Sequence, residues 1–70
     1  MMPLTLASTG DSAVILKIGG PPAVKQHLED LGFVPGSDVT VINSINGNLI
    51  VCVKDARIAI SREMAQRIMI

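Results

Sequence analysis

The chain has 70 residues, 49% of them hydrophobic, and its six Lys and Arg balance its six Asp and Glu at a formal net charge of zero. This length fits one domain over residues 1–70, and so apolar a composition excludes a disordered chain. Nucleic-acid binding depends on a surplus of basic residues that neutralise phosphates, and this chain has none.

Cys52 is the only cysteine, so no internal disulfide can form. The N-terminus lacks the basic start and long apolar run of a signal peptide. No apolar stretch approaches the roughly 20 residues that cross a bilayer. We therefore expect a soluble, cytoplasmic protein that does not insert into a membrane.

The first third of the chain predicts an entry segment and one strand. Residues 3–8 are short and apolar, and the turn-forming run 8–12 follows them. Residues 13–18 are rich in β-branched side chains and stop at Gly19-Gly20, which predicts a strand with a sharp end.

A helix then begins at Pro21-Pro22, since proline is well tolerated in a first helical turn. One narrow arc at helical spacing holds Val24, His27, Leu28 and Leu31. His27 lies at the edge of this arc, where we expect it to be half-buried. Gly32 stands where a left-handed C-terminal cap belongs, and Phe33 can fold back onto the last turn.

Residues 34–37 read Val-Pro-Gly-Ser, which predicts a type II turn. Residues 38–43 predict a strand, because apolar and polar residues alternate in its first half. Asn46-Gly47 is the strongest hairpin signal in the chain, since both residues tolerate positive φ. The partner strand is predicted over residues 49–54.

The last third predicts another turn at Lys54-Asp55 and a strand over residues 57–60. Ser61 can cap a short helical turn through residues 63–66. Residues 67–70 are apolar enough to return as a last strand. The pattern is mainly β, with about five short strands, one α-helix and a short helical turn near the C-terminus.

So few residues cannot cover both faces of an open sheet, whereas a small barrel encloses one core. An SH3-like barrel is the predicted architecture, and an OB-like barrel is the alternative.

Residues 28–41, Leu-Glu-Asp-Leu-Gly-Phe-Val-Pro-Gly-Ser-Asp-Val-Thr-Val, are similar to the signature of the FeoA family, small cytosolic accessory proteins of bacterial ferrous iron uptake. The tail resembles the family at residues 56–60, 64–65 and 68–70, and the front resembles it at residues 10 and 18–20. The connection over residues 43–48 departs from the pattern, because many members have a longer loop there.

The resemblance implies an SH3-like barrel and a partner, the membrane-bound ferrous iron transporter FeoB with its cytosolic G domain. The domain also resembles the C-terminal barrel of DtxR-type iron-dependent repressors, and we expect no helix-turn-helix ahead of it. The alternative function is therefore a stand-alone regulatory barrel that acts with a metal-dependent repressor. A third interpretation is a barrel that associates weakly with itself.

No enzyme is expected. His27 is the only histidine, no glycine-rich phosphate loop is present, and the scattered serines lack a nearby base. Strong metal sites need clustered ligands at defined spacing, but His27 and Cys52 belong to different predicted elements. We therefore expect neither a cofactor nor a built metal site, and treat a weak surface metal site as a hypothesis that an NMR metal titration tests.

Aromatic side chains line the grooves of polyproline-binding barrels and form the stacking platforms of single-strand-binding barrels. This chain has no Trp, no Tyr and only Phe33. Both binding modes are therefore disfavoured, and a protein-interaction module remains.

Two groups of residues are candidates for partner binding. Phe33 and Val34 adjoin the rigid Pro35-Gly36 turn and would present an apolar knob, or else pack into the core. Three basic residues would form a modest basic edge, or else remain solvated charges: Lys54, Arg57 and Arg67.

Overall fold

The computed structural model describes residues 1–70 and shows six short strands in two sheets, with two helices. The elements in chain order are a 3₁₀ turn Leu4–Leu6, β1 Ser12–Val14, β2 Lys17–Ile18, α1 Pro22–Asp30, β3 Asp38–Ile45, β4 Asn48–Val53, β5 Ala56–Ile60, α2 Arg62–Ala65 and β6 Ile68–Met69. An antiparallel sheet has the order β1-β3-β4-β5, and β2 pairs with β6. The mainly β architecture with one longer helix and a short helical turn is confirmed.

The single strand predicted over residues 13–18 is divided into β1 and β2, which gives six strands rather than about five. The Ile15 N–H donates to the Ser37 carbonyl at 2.9 Å, and the Leu16 N–H donates to the Met69 carbonyl at 2.8 Å. Successive N–H groups of an extended chain point to opposite sides. This segment therefore bonds to both sheets and joins them into one barrel, which stays open at β5.

The two ends of the chain meet beside β6. Met2 and Ile70 exchange two backbone hydrogen bonds of 2.9 and 2.8 Å, and Pro3 forms a bridge with Met69. The apolar tail is thus paired on both sides, as the prediction of a last strand required.

Thirteen residues are buried, and all of them are hydrophobic. They come from every element except β1, together with the connecting segments, and are Leu4, Ile15, Ile18, Leu28, Phe33, Val39, Val41, Leu49, Val51, Val53, Ile60, Ala65 and Ile68. Alternate residues of β3 and β4 belong to this core, so the residues between them lie on the outer face. Polar chemistry is therefore confined to the surface.

Helix α1 ends in a Schellman motif. The Phe33 N–H donates to the Leu28 carbonyl and the Gly32 N–H to the Glu29 carbonyl, both at 2.9 Å. Gly32 has a φ of +109°, and the side chains of Leu28 and Phe33 are both fully buried. The predicted glycine cap is confirmed, and it directs the chain from the helix into the core.

The expected half-burial of His27 is wrong, because the side chain is exposed. The helix packs through a stripe centred on Leu28, with Val24 and Leu31 partly buried at its sides. His27 falls just outside that stripe. Neither helix is long and apolar enough to cross a membrane.

We expect Gly32→Ala to lower the free energy of unfolding by about 1–2 kcal/mol, because a β-carbon strains the positive φ of the cap. The nearest side-chain atom, Lys54 Cδ, lies at 3.6 Å from such a β-carbon, so crowding adds little. Urea denaturation measures the change. Gly19→Ala is the matched control, since Gly19 is not in the positive-φ region and its nearest atom lies at 3.7 Å. Equal losses for both variants would contradict the cap argument.

Candidate functional site

The outer face of the four-stranded sheet carries one row of polar side chains across all four strands. The strand register aligns Ser12 with Thr40, Thr40 with Cys52, and Cys52 with Arg57. The hydroxyl groups of Ser12 and Thr40 lie 2.8 Å apart and share a hydrogen bond. Directly opposed residues of an antiparallel pair lie on the same face, so these four side chains form one continuous surface.

A shallow groove of about 460 Å³ opens at the end of this face where β3 begins and β4 ends. Its lining is almost entirely polar and consists of Gly36, Ser37, Asp38, Thr40, Cys52, Lys54 and Asp55. Sites for small organic ligands are mostly apolar with a few polar groups. This groove has the opposite composition, so it suits hydrogen bonds and ion pairs more than the binding of an apolar ligand.

One wall of the groove is the turn over residues 34–37. The Ser37 N–H donates to the Val34 carbonyl at 3.1 Å, and Gly36 has a φ of +91°. The predicted type II turn is thus confirmed. It leaves Pro35 exposed and Val34 half-buried beside the groove.

The other wall is the two-residue turn between β4 and β5. Lys54 and Asp55 have φ values of +49° and +63°, as Asn46 and Gly47 do at +50° and +82° in the β3–β4 hairpin. Positive φ at both central residues is the type I′ pattern that Asn-Gly favours. Lys and Asp adopt it against a steric cost. The stem of Lys54 passes beside Gly32, and Lys54 also lines the groove.

Four of the six residues predicted from the sequence to bind a partner adjoin this groove. Lys54 lines it, Val34 and Pro35 precede its wall at Gly36, and Arg57 is the cross-strand neighbour of Cys52. We call Val34, Pro35, Lys54 and Arg57 the docking face.

The other two predicted residues lie elsewhere. Phe33 has no exposed surface, so its side chain packs in the core and cannot serve as an apolar knob in this conformation. Arg67 lies beside β6, where its Cδ is 3.2 Å from the position of a β-carbon on Gly20. Arg67 therefore does not share an edge with Lys54 and Arg57, because β6 pairs with β2 and not with β5.

The groove also contains residues that the sequence analysis did not single out as a site, namely Asp38, Thr40 and Asp55. The two-residue turn at residues 54–55 is a signal for part of this surface, because it places residue 52 opposite residue 57. The approach of residue 38 to residue 54 has no such signal, because a bulge between Val41 and Asn43 shifts the β3–β4 register by one residue and places Val39 opposite Val53. Cys52 is half-buried there. No three His, Cys, Asp or Glu residues lie close enough together to hold a metal ion.

We expect Asp55→Gly to raise the free energy of unfolding by about 0.5–1 kcal/mol, because glycine adopts the positive φ of a type I′ turn without a steric cost. Thermal and urea denaturation measure the gain. The reciprocal variant Gly47→Asp, at the same position of the β3–β4 hairpin, should lose a similar amount. A lower free energy of unfolding for Asp55→Gly would show that the Asp55 carboxylate stabilises the turn by more than its positive φ costs.

A family model described as FeoA domain matches residues 2–70 of the chain. A relative from Methanocaldococcus jannaschii, named as a candidate Fe(2+) transport protein A, is 36% identical over 70 residues, which cover 100% of this chain and 85% of that protein.

Solved structures resemble the whole barrel. The crystal structure of an iron uptake regulatory protein, FeoA, is 32% identical with a TM-score of 0.89, covering 97% of this chain and 90% of that one. Stenotrophomonas maltophilia FeoA complexed with zinc, a prokaryotic SH3 domain protein, is 27% identical with a TM-score of 0.85, covering 99% of this chain and 88% of that one. The predicted SH3-like fold is thus confirmed.

The expected likeness to repressors is also confirmed, for the fold alone. A manganese-dependent transcriptional repressor is 20% identical with a TM-score of 0.84, and the match covers 94% of this chain and 38% of that one.

Proposed function

The chain belongs to the FeoA family, and from that premise we propose that it is an accessory protein of ferrous iron uptake which binds the cytosolic G domain of a FeoB-type transporter. The observation that carries the proposal is the extent of the family match, from residue 2 to residue 70. The barrel is the whole matched unit, so its function depends on the surfaces described above. We place the protein in the cytoplasm, where its proposed partner domain lies, and assign it no catalytic activity.

The composition of the docking face supports binding to a protein. The rigid turn at Pro35 and the half-buried Val34 give it a small apolar part, and Lys54 and Arg57 give it two exposed cations. Between them the groove offers the hydroxyl of Ser37 and the carboxylate of Asp38. The carboxylates of Asp38 and Asp55 in the groove offset these two cations, so a hydrogen-bonding patch of the G domain with charges of both signs would complement this surface. Complementary charge favours rapid and specific association.

Modulation of the transporter needs a difference in affinity between its states. A ligand shifts an equilibrium only by the difference in its binding free energy for the two states. We therefore propose that the protein binds one nucleotide state of the G domain more tightly than the other. The barrel itself need not change shape, because its conformation is fixed by a packed core and paired termini.

The test is an NMR titration of the ¹⁵N-labelled protein with the isolated G domain, without nucleotide, with GDP and with a non-hydrolysable GTP analogue. We expect the shifted amide signals to cluster at residues 34–38 and 52–57. Lys54→Glu combined with Arg57→Glu should raise the dissociation constant about tenfold, because two favourable charge contacts become repulsive.

Arg67→Glu is the matched control, since it makes the same kind of charge reversal beside β6. We expect it to change the dissociation constant less than twofold. A larger effect of Arg67→Glu than of the double variant would place the contact beside the β2–β6 sheet and contradict the docking face. The absence of shifts in every nucleotide state, and with the intact transporter in detergent, would overturn the transporter proposal and favour the regulatory alternative.

A further inference from the structure

Strand β5 is an unprotected edge of the four-stranded sheet. It pairs with β4 alone, and its five residues, Ala56–Ile60, keep a regular register without a bulge. None of the hydrogen bonds outside the helices and strand ladders involves residues 56–60. An edge of this kind presents free backbone donors and acceptors to another strand.

The tight turn at residues 54–55 determines which groups are free. In a two-residue hairpin the residues that flank the turn, Val53 and Ala56, form a hydrogen-bonded pair, and such pairs alternate along the ladder. Ala56, Ile58 and Ile60 therefore direct their backbone groups toward β4. Arg57 and Ala59 direct their N–H and C=O groups away from the sheet, and both residues are exposed.

Native edge strands are usually blocked by proline, by a bulge, by several charges or by a covering element. Strand β5 has the sequence Ala-Arg-Ile-Ala-Ile, with no proline and a single charge at Arg57. The free edge of β1 is only three residues long, and the chain that follows it bonds to β6 at Leu16. Strand β5 is thus the longest free edge of the barrel.

We propose that this edge pairs with β5 of a second copy of the chain, antiparallel and about a two-fold axis at Ile58, which joins two sheets into one of eight strands. The four free backbone groups of each copy are then satisfied. Arg57 of one copy exchanges two hydrogen bonds with Ala59 of the other, and the two-fold axis repeats this pair. A two-fold contact uses the same surface on both subunits. The strand is self-complementary in this register, because Arg57 of each copy lies directly opposite Ala59 of the other.

Charge selects this register over its neighbour. A register centred on residue 57 would place the two arginines directly opposite each other, which is unfavourable. A register centred on residue 59 leaves Ala56 beyond the strand end of its partner, so fewer residues pair. The axis at Ile58 pairs all five residues and brings the two half-buried Ile58 side chains together on the inner face.

The total charge allows such self-association. The chain has a formal net charge of zero, so two copies do not repel each other at long range. The contact area of two five-residue strands is below the roughly 1,200 Å² of stable interfaces. The dimer is therefore weak and forms at high protein concentration.

The experiment is sedimentation equilibrium of the protein alone up to about 1 mM, with amide hydrogen exchange at the same concentrations. We expect a reversible dimer, together with protection of the Arg57 and Ala59 amides that rises with concentration. Ala59→Glu places a carboxylate opposite Arg57 of the other copy and should lower the dissociation constant about fivefold. Ala59→Lys should raise it about fivefold.

Ile45→Glu and Ile45→Lys are the matched controls, because Ile45 is exposed and lies at the end of β3, two strands away from the free edge of β5. They carry the same charges and should leave the dissociation constant within twofold of the unmodified protein. A monomer at 1 mM overturns the proposal. Equal effects of Ala59→Glu and Ala59→Lys, or effects of the controls as large, overturn the register.

The outcome does not depend on the transporter, because no other protein is present. If the unmodified protein is monomeric and the Ala59 variants change G-domain binding instead, the edge belongs to that partner and self-pairing is overturned. Self-pairing with no G-domain binding would leave this inference intact while the proposed function fails.

Discussion

The barrel depends on the change of hydrogen-bond partner between Ile15 and Leu16. One N–H bonds to the start of β3 and the next bonds to β6, so a single extended segment belongs to both sheets. Because the two sheets are joined in this way, their inner faces enclose one core of thirteen hydrophobic residues with no buried polar group. The pairing of Met2 with Ile70 covers the other edge of β6. Without this switch, the four-stranded sheet and the β2–β6 pair would be separate and neither could bury its apolar face.

Exclusion of polar groups from the core places all the chemistry of the chain on its surface. The outer face carries the row from Ser12 to Arg57, and the groove at its end is bounded by two tight turns. Two tight turns hold the backbone of Pro35 and Lys54 in place. Binding there costs little backbone conformational entropy, because the backbone is already ordered. Such a surface suits a protein that acts by contact, which agrees with membership of the FeoA family.

The same strand takes part in both proposed contacts. Arg57 belongs to the docking face through its side chain and to the free edge of β5 through its backbone. A second copy on the edge and a G domain on the face would approach each other at this residue. Self-association and transporter binding would then be coupled, and at high concentration one would reduce the other by mass action.

The sequence by itself determined the elements whose causes are local. Gly32 marks the helix end, Asn46-Gly47 marks a hairpin and Ser61 accepts a hydrogen bond from the Met64 N–H at 3.2 Å, because caps and turns depend on neighbouring residues. The alternation over residues 38–41 likewise predicted which side of β3 enters the core. The motif at residues 28–41, together with the matching residues at the front and in the tail, indicated the family.

Only the tertiary structure decided which distant residues share a surface. The division of residues 13–18 into two strands has no local signal, because it arises from hydrogen bonds to Ser37 and Met69. The separation of Arg67 from Lys54 also depends on how the two sheets meet. Side-chain chemistry gives one positive charge at each of residues 54, 57 and 67. Strand pairing alone determines that the first two adjoin one groove and the third lies beside β6.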